Sequence, residues 1–152
     1  MHDDPLYKYE YRILNALRRI SRAVDHYSRK LNVEFGLTTP QLLCLEALAR
    51  ANSMILRDLA RAVNLGESTV NGIVDRLEAK GLLTRMRSRE DRRKVYLEIT
   101  ERGRKIMEKT PPLLQDKLAH SLSGLRDAEK QRITESLERI VELMQAEYRM
   151  HV

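Results

Sequence analysis

The side chains of this chain that could do chemistry are hydrogen-bonding and cationic groups rather than a catalytic set: Ser68, Thr69, Asn71 and Arg76, followed by a run of arginines ending at Lys94. From Arg76 to Lys94, eight basic residues stand against three acidic ones, which is most of the chain's net charge of +6. An excess this local is a footprint for a polyanion, whereas a solubilising charge would be spread along the chain. Short polar side chains can hydrogen-bond to base edges. An Asn bidentate to adenine is worth ~1–3 kcal/mol of discrimination, while arginine and lysine neutralise phosphates. Double-stranded DNA is therefore the expected partner.

Enzymatic chemistry finds no footing. The four histidines, His2, His26, His120 and His151, are scattered, and none lies near the single cysteine, Cys44, in sequence. There is no Gly-rich phosphate loop and no metal-ligand spacing, so we expect no catalytic residue, metal or cofactor. One cysteine excludes an intramolecular disulfide and fits a reducing cytoplasm. It lies in the apolar run Leu42 to Leu48 and reads as a small core hydrophobe rather than a redox sensor. No apolar run approaches the ~20 residues of a membrane span, and the polar start MHDDPLYKYEY is not a signal peptide; a cytoplasmic protein is expected.

The elements that must position the donors follow from periodicity. From about Leu6 to Phe35, Ile13, Leu17, Ile20, Val24, Tyr27 and Leu31 fall three or four apart, predicting one long amphipathic helix that Gly36 ends. Thr38 and Gln41 can form a capping box, with Leu37 stapling onto Leu42, to open a helix from about Thr39 to Arg50. A short helix spans Leu56 to Val63. After a turn at Asn64, Leu65 and Gly66, the stripe Val70, Ile73, Val74 and Leu77 defines a further helix ending at Gly81, completing a helix-turn-helix. That stripe must face the core, which turns Ser68, Thr69, Asn71, Gly72, Asp75 and Arg76 outward. Ser68, Thr69 and Asn71, near the N-terminal end, are placed to read bases in a major groove, and Arg76 to meet phosphate.

Strands near Leu83 to Arg87 and Lys94 to Glu98 then predict a β-hairpin with a basic tip. Arg87 and Lys94 flank that tip. Asp91 is expected to hold one neighbouring guanidinium and leave Arg93 aimed at a minor groove. Thr100 caps a helix running through Ile106, Pro111 and Pro112 interrupt it, and it resumes through Leu122 to a break at Ser123 and Gly124. The last helix, about Asp127 to Met150, carries Ile133, Leu137, Ile140 and Met144 at seam spacing. The fold class is thus mainly α with a small β-hairpin wing. Residues 1–36 and 104–152 form a helical region suited to homodimer formation, and residues 37–103 a winged helix-turn-helix, in one structural domain overall. The alternative is a winged-helix interaction or architectural module that binds nucleic acid nonspecifically.

The motifs LTTPQLLCLEAL (37–48), LARAV (59–63), STVNGIVDRLEAKGLL (68–83) and D-R-R followed by VYLEITERG (91–103) resemble the MarR family of transcriptional regulators over nearly the whole chain. The resemblance implies a homodimer with two winged lobes on a shared helical region. It also implies binding to pseudo-palindromic operators, usually as a repressor. By position it assigns base reading to Ser68, Thr69 and Asn71, a backbone clamp to Arg76, and wing roles to Asp91 and Arg93. Gly72, where the family often has a larger polar residue, and the strand ending Glu98-Ile99-Thr100 depart from the usual pattern. Many members release DNA when a small molecule or oxidant acts at the junction of the dimer and DNA lobes; Arg22, Asp25, His26 and Tyr27 are the candidates for such an effector cleft. Residues 18–38 further resemble the subgroup that regulates ectoine and other compatible-solute operons.

Overall fold

The computed structural model describes residues 8–149, and side chains through residue 146. The expected helix start at Leu6, the end at Met150, and His2 and His151 lie outside the described residues. The chain divides into two compact units, Met1–Leu113 and Leu114–Val152.

The first unit opens with α1 (Lys8–Phe35), which ends where Gly36 takes a φ of 64°. Its seam splits in two: Leu31 is fully buried and Tyr27 half-buried, but Ile13, Ile20 and Val24 remain about half exposed. Helix α2 (Thr39–Ala51) begins with the expected box. The Gln41 backbone N–H donates to Thr38 Oγ1 at 3.3 Å, and the Thr38 backbone N–H donates to Gln41 Oε1 at 3.1 Å. The reciprocal pair satisfies amides that the first helical turn otherwise leaves open. Leu42, Leu45 and Leu48 from α2 form the centre of the core with Leu37, Leu59, Leu77, Leu83 and Leu97. Cys44 is buried among them as expected, and desolvation pushes its thiol up to about 11.

Helix α3 (Leu56–Val63) and helix α4 (Glu67–Ala79) follow. In the turn between them Asn64, not the glycine, adopts the left-handed conformation, at φ 54°. Its side chain makes that region tolerable to a non-glycine residue. Gly66 instead sits extended as the N-cap of α4. Val70, Ile73, Val74 and Leu77 are all buried, as their spacing requires. At the other end of α4, Lys80 Nζ donates to the backbone carbonyl of Gly36, linking the helix's C-cap to the turn after α1.

The wing is broader than a hairpin. β1 (Ser53–Ile55) adds to β2 (Leu83–Arg87) and β3 (Val95–Ile99) in a three-stranded antiparallel sheet of order β1-β3-β2. Ser53 pairs with Glu98 and Ile55 with Tyr96, while Leu83 pairs with Ile99 and Arg87 with Val95. Three residues between a helix and a helix are too few to display alternation. β3 also starts one residue later than expected, because Lys94 belongs to the turn.

Thr100 joins the wing to α5 (Glu101–Lys109). Its hydroxyl accepts from the Gly103 N–H at 3.0 Å and donates to the Gly81 carbonyl at 2.7 Å, while its backbone N–H donates to the Leu82 carbonyl at 3.0 Å. A Cβ at Gly103 would collide with that same Leu82 carbonyl and with Ile99. The interruption at Pro111 and Pro112 ends the unit, with Leu113 buried.

The second unit holds α6 (Leu114–Ser123) and α7 (Asp127–Arg149). On α7 the apolar residues Ile133, Leu137, Val141, Leu143 and Met144 are exposed, and none of its described residues is buried. Among the described residues, no helix is long and apolar enough to cross a membrane.

Candidate nucleic-acid interface

Helix geometry sets out the surface of α4. At about 100° per residue, the buried stripe fixes the opposite face, and that face has an apex and two flanks. Ser68 and Gly72 lie at the apex, Thr69 and Arg76 on one flank, and Asn71, Asp75 and Glu78 on the other. All of these are exposed except Gly72, which is intermediate. Gly72 has open space where a side chain would project, so a larger residue would fit.

The flank carrying Asn71 is met by an arginine from the sheet. Arg85, on β2, donates from Nη2 to Asp75 Oδ1 at 2.6 Å and to Asn71 Oδ1 at 3.2 Å, and from Nη1 to Glu78 Oε1 at 2.7 Å. Partial burial works against the charge of this guanidinium, but the hydrogen bonds and charges of Asp75 and Glu78 outweigh it and hold the proton more tightly than usual. Arg85 is therefore a structural tie between α4 and the wing. Sequence reasoning counted it only as part of the basic excess. The signal was present, because residues 71, 75 and 78 follow the i, i+4, i+7 spacing of one helical face; what was not visible was which cation faces them.

The tip of the wing is built differently. Ser88 Oγ accepts from the backbone N–H groups of Glu90 and Asp91, both at 3.2 Å. The Lys94 N–H donates to the Asp91 carbonyl and the Ser88 N–H to the Lys94 carbonyl, each at 2.9 Å. The Asp91 carboxylate accepts from the backbone N–H of Arg93 at 3.0 Å. This corrects the expected pairing of Asp91 with a guanidinium: Asp91 shapes the main chain in an Asx-type turn. Among the described residues Arg76, Arg87, Arg92, Arg93 and Lys94 enter no ion pair, and all are exposed.

The candidate effector residues share α1. Arg22, Asp25 and His26 are exposed, while Tyr27 is half-buried and its hydroxyl donates to the Pro111 carbonyl at 3.3 Å. No group of three or more His, Cys, Asp or Glu among the described residues is placed to hold a metal ion.

An ordered sheet tip rich in unpaired cations, beside a helix whose exposed face is polar at its N-terminal end, is a surface built for a polyanion with readable edges. Comparison with known proteins agrees. The MarR family profile matches residues 37–95, from just before α2 to the start of β3. The organic hydroperoxide resistance transcriptional regulator of Bacillus subtilis is 30% identical over 102 residues, covering 67% of this chain and 69% of the relative. The homoprotocatechuate degradative operon repressor of Escherichia coli is 26% identical over 128 residues, 84% of this chain and 86% of the relative. In structure, Bordetella bronchiseptica BpsR, whose DNA binding is regulated by 6-hydroxynicotinic acid, superposes with a TM-score of 0.59 at 28% identity, covering 86% of this chain and 98% of that one. Sequence, winged fold and relatives agree that this chain belongs to the MarR family of DNA-binding transcriptional regulators.

Proposed function

We propose that the protein is a homodimeric, sequence-specific repressor that reads a pseudo-palindromic operator with α4 in the major groove and the wing in the minor groove. The observation that carries this reading is the pairing of two surfaces. Ser68, Thr69 and Asn71 stand exposed near the start of α4, and Arg93 stands exposed and, among the described residues, without an ion pair on a wing turn ordered by Asp91. Arg76, Arg87 and Lys94 would meet phosphates around them. The apolar residues left open on α1 and α7, from Ile13 to Val24 and from Ile133 to Met144, are the kind of surface that a second copy covers. Residues 1–36 and 104–152 would supply that shared region, and residues 37–103 the DNA-binding lobe.

The repressor assignment draws on the Escherichia coli relative, and a response to a small molecule draws on BpsR. Arg22, Asp25, His26 and Tyr27 on α1 are the first residues to probe for effector contact. As for target genes, the resemblance of residues 18–38 to regulators of ectoine and other compatible-solute operons nominates such promoters as the first to screen.

The test is a binding titration of the full-length protein on a duplex selected from a random pool, against a scrambled duplex, with sedimentation run in parallel. A dimer that prefers the selected duplex by about 10³-fold or more supports the reading. Equal affinity for the two duplexes would replace it with a nonspecific architectural module, and a well-folded monomer would remove the dimer.

A further inference from the structure

Resting on the proposal that α4 reads the major groove, we infer that Arg85 turns Asn71 into a donor-only reader that selects guanine over adenine. An Asn free to rotate is bidentate to adenine: its Nδ2 donates to N7 and its Oδ1 accepts from the N6 amino group. Here Oδ1 lies 3.2 Å from Arg85 Nη2. A guanidinium has donors and no acceptor, so the atom facing it must be the oxygen, which settles the orientation of the amide. The oxygen has a second lone pair, but bidentate recognition needs both amide heavy atoms edge-on to the same base, and a cation already covers the oxygen side. An adenine amino group approaching there would meet the donors of Arg85 where it needs an acceptor. A guanine edge presents two acceptors, N7 and O6, and suits the outward-facing Nδ2.

The guanidinium is well held in that place. Asp75 at 2.6 Å and Glu78 at 2.7 Å draw it onto the same flank of α4. Asn71, Asp75 and Glu78 thus present three acceptors to one fork of donors, a match that the single ammonium of a lysine could not reproduce. On this view Arg85 is a positioning residue on the wing that sets what α4 recognises.

Duplexes are selected from a random pool by the full-length wild type and by Asn71→Ala, and the base pair whose preference vanishes in the variant is the one that Asn71 reads. That pair is expected to be G·C, with guanine favoured over adenine about tenfold. Replacing this guanine by 2-aminopurine opposite thymine, which keeps N7 but removes the O6 acceptor, should weaken wild-type binding about tenfold and leave Asn71→Ala unaffected. In Arg85→Met, with helicity intact, adenine should become acceptable to within about threefold. An A·T pair at that position, or no effect of 2-aminopurine on the wild type, overturns the donor-only assignment while leaving base reading by α4 in place. Full guanine preference in Arg85→Met overturns the positioning role of Arg85. If no base preference changes in Asn71→Ala, base reading by Asn71 falls as well. Should Arg85→Met fail to fold, the wild-type comparison of guanine with 2-aminopurine, which keeps N7 but lacks O6, still decides the donor-only claim.

Discussion

Arg85 and Arg93 lie eight positions apart in one basic segment, yet their surroundings are opposite. Arg85 is only about a quarter exposed and spans two carboxylates and an amide of α4; Arg93 is exposed, has no ion pair among the described residues, and is held there through its backbone N–H. One charge is spent inside the protein and the other is left to the solvent side. Charge counted along a sequence therefore overstates the charge offered to a partner, and the positive excess of residues 76–94 is concentrated at the wing tip more than its middle suggests.

The most severe way to break this contrast is at the joint that carries both arginines. Gly103→Ala should destabilise the protein by about 3 kcal/mol or more, because the added methyl meets a backbone carbonyl that cannot move aside cheaply; urea denaturation measures it, and a loss under ~1 kcal/mol would mean the joint is loose. Next in size, Arg93→Ala should weaken DNA binding about tenfold and reduce the slope of log affinity against log salt by ~0.9, with stability unchanged within ~0.5 kcal/mol. An unaltered slope would remove Arg93 from the interface.

Arg85→Ala should, unlike Arg93→Ala, lower stability, by about 1 kcal/mol, since its ion pairs are partly screened by solvent. A stability loss at Arg93 equal to that at Arg85 would erase the distinction between them. Smaller still is Asp91→Asn, which keeps the acceptor for the Arg93 N–H and should hold affinity within about threefold, whereas Asp91→Ala should lose more. If Asn proves as damaging as Ala, the carboxylate charge matters and the turn does not.

The smallest effect is expected at Cys44, buried in the core. Peroxide should leave DNA binding unchanged, because a buried thiol titrating near 11 offers little thiolate at neutral pH. Its folded pKa lies above the unfolded value of 9.0, so its contribution to stability is full below pH 9 and lost on the way to 11. Comparing wild type with Cys44→Ala by denaturation across that range checks the sign.

Much of this was legible in the sequence because it depends on neighbours a few residues apart. The Thr38–Gln41 box, the buried stripe of α4 and the Thr100 cap all follow from local spacing. What escaped depends on partners far apart or on short signals. β1 has three residues and is defined by its pairing with β3, more than forty positions on. The left-handed residue of the α3–α4 turn is Asn64 although Gly66 stands two residues away, since either type tolerates that conformation. Asp91 beside two arginines suggested an ion pair, but the backbone N–H two residues on was the nearer partner. Arg85 needed the crossing of β2 over one flank of α4, which no window of sequence contains.

Lys80 carries a mechanical consequence. Its ammonium belongs to the basic segment but points back to the carbonyl of Gly36, at the hinge where α1 gives way to α2. The far end of α4 is thereby tethered to the end of α1 across 44 positions of chain. Any displacement of the turn after α1 relative to the foot of α4 must therefore stretch or break that bond.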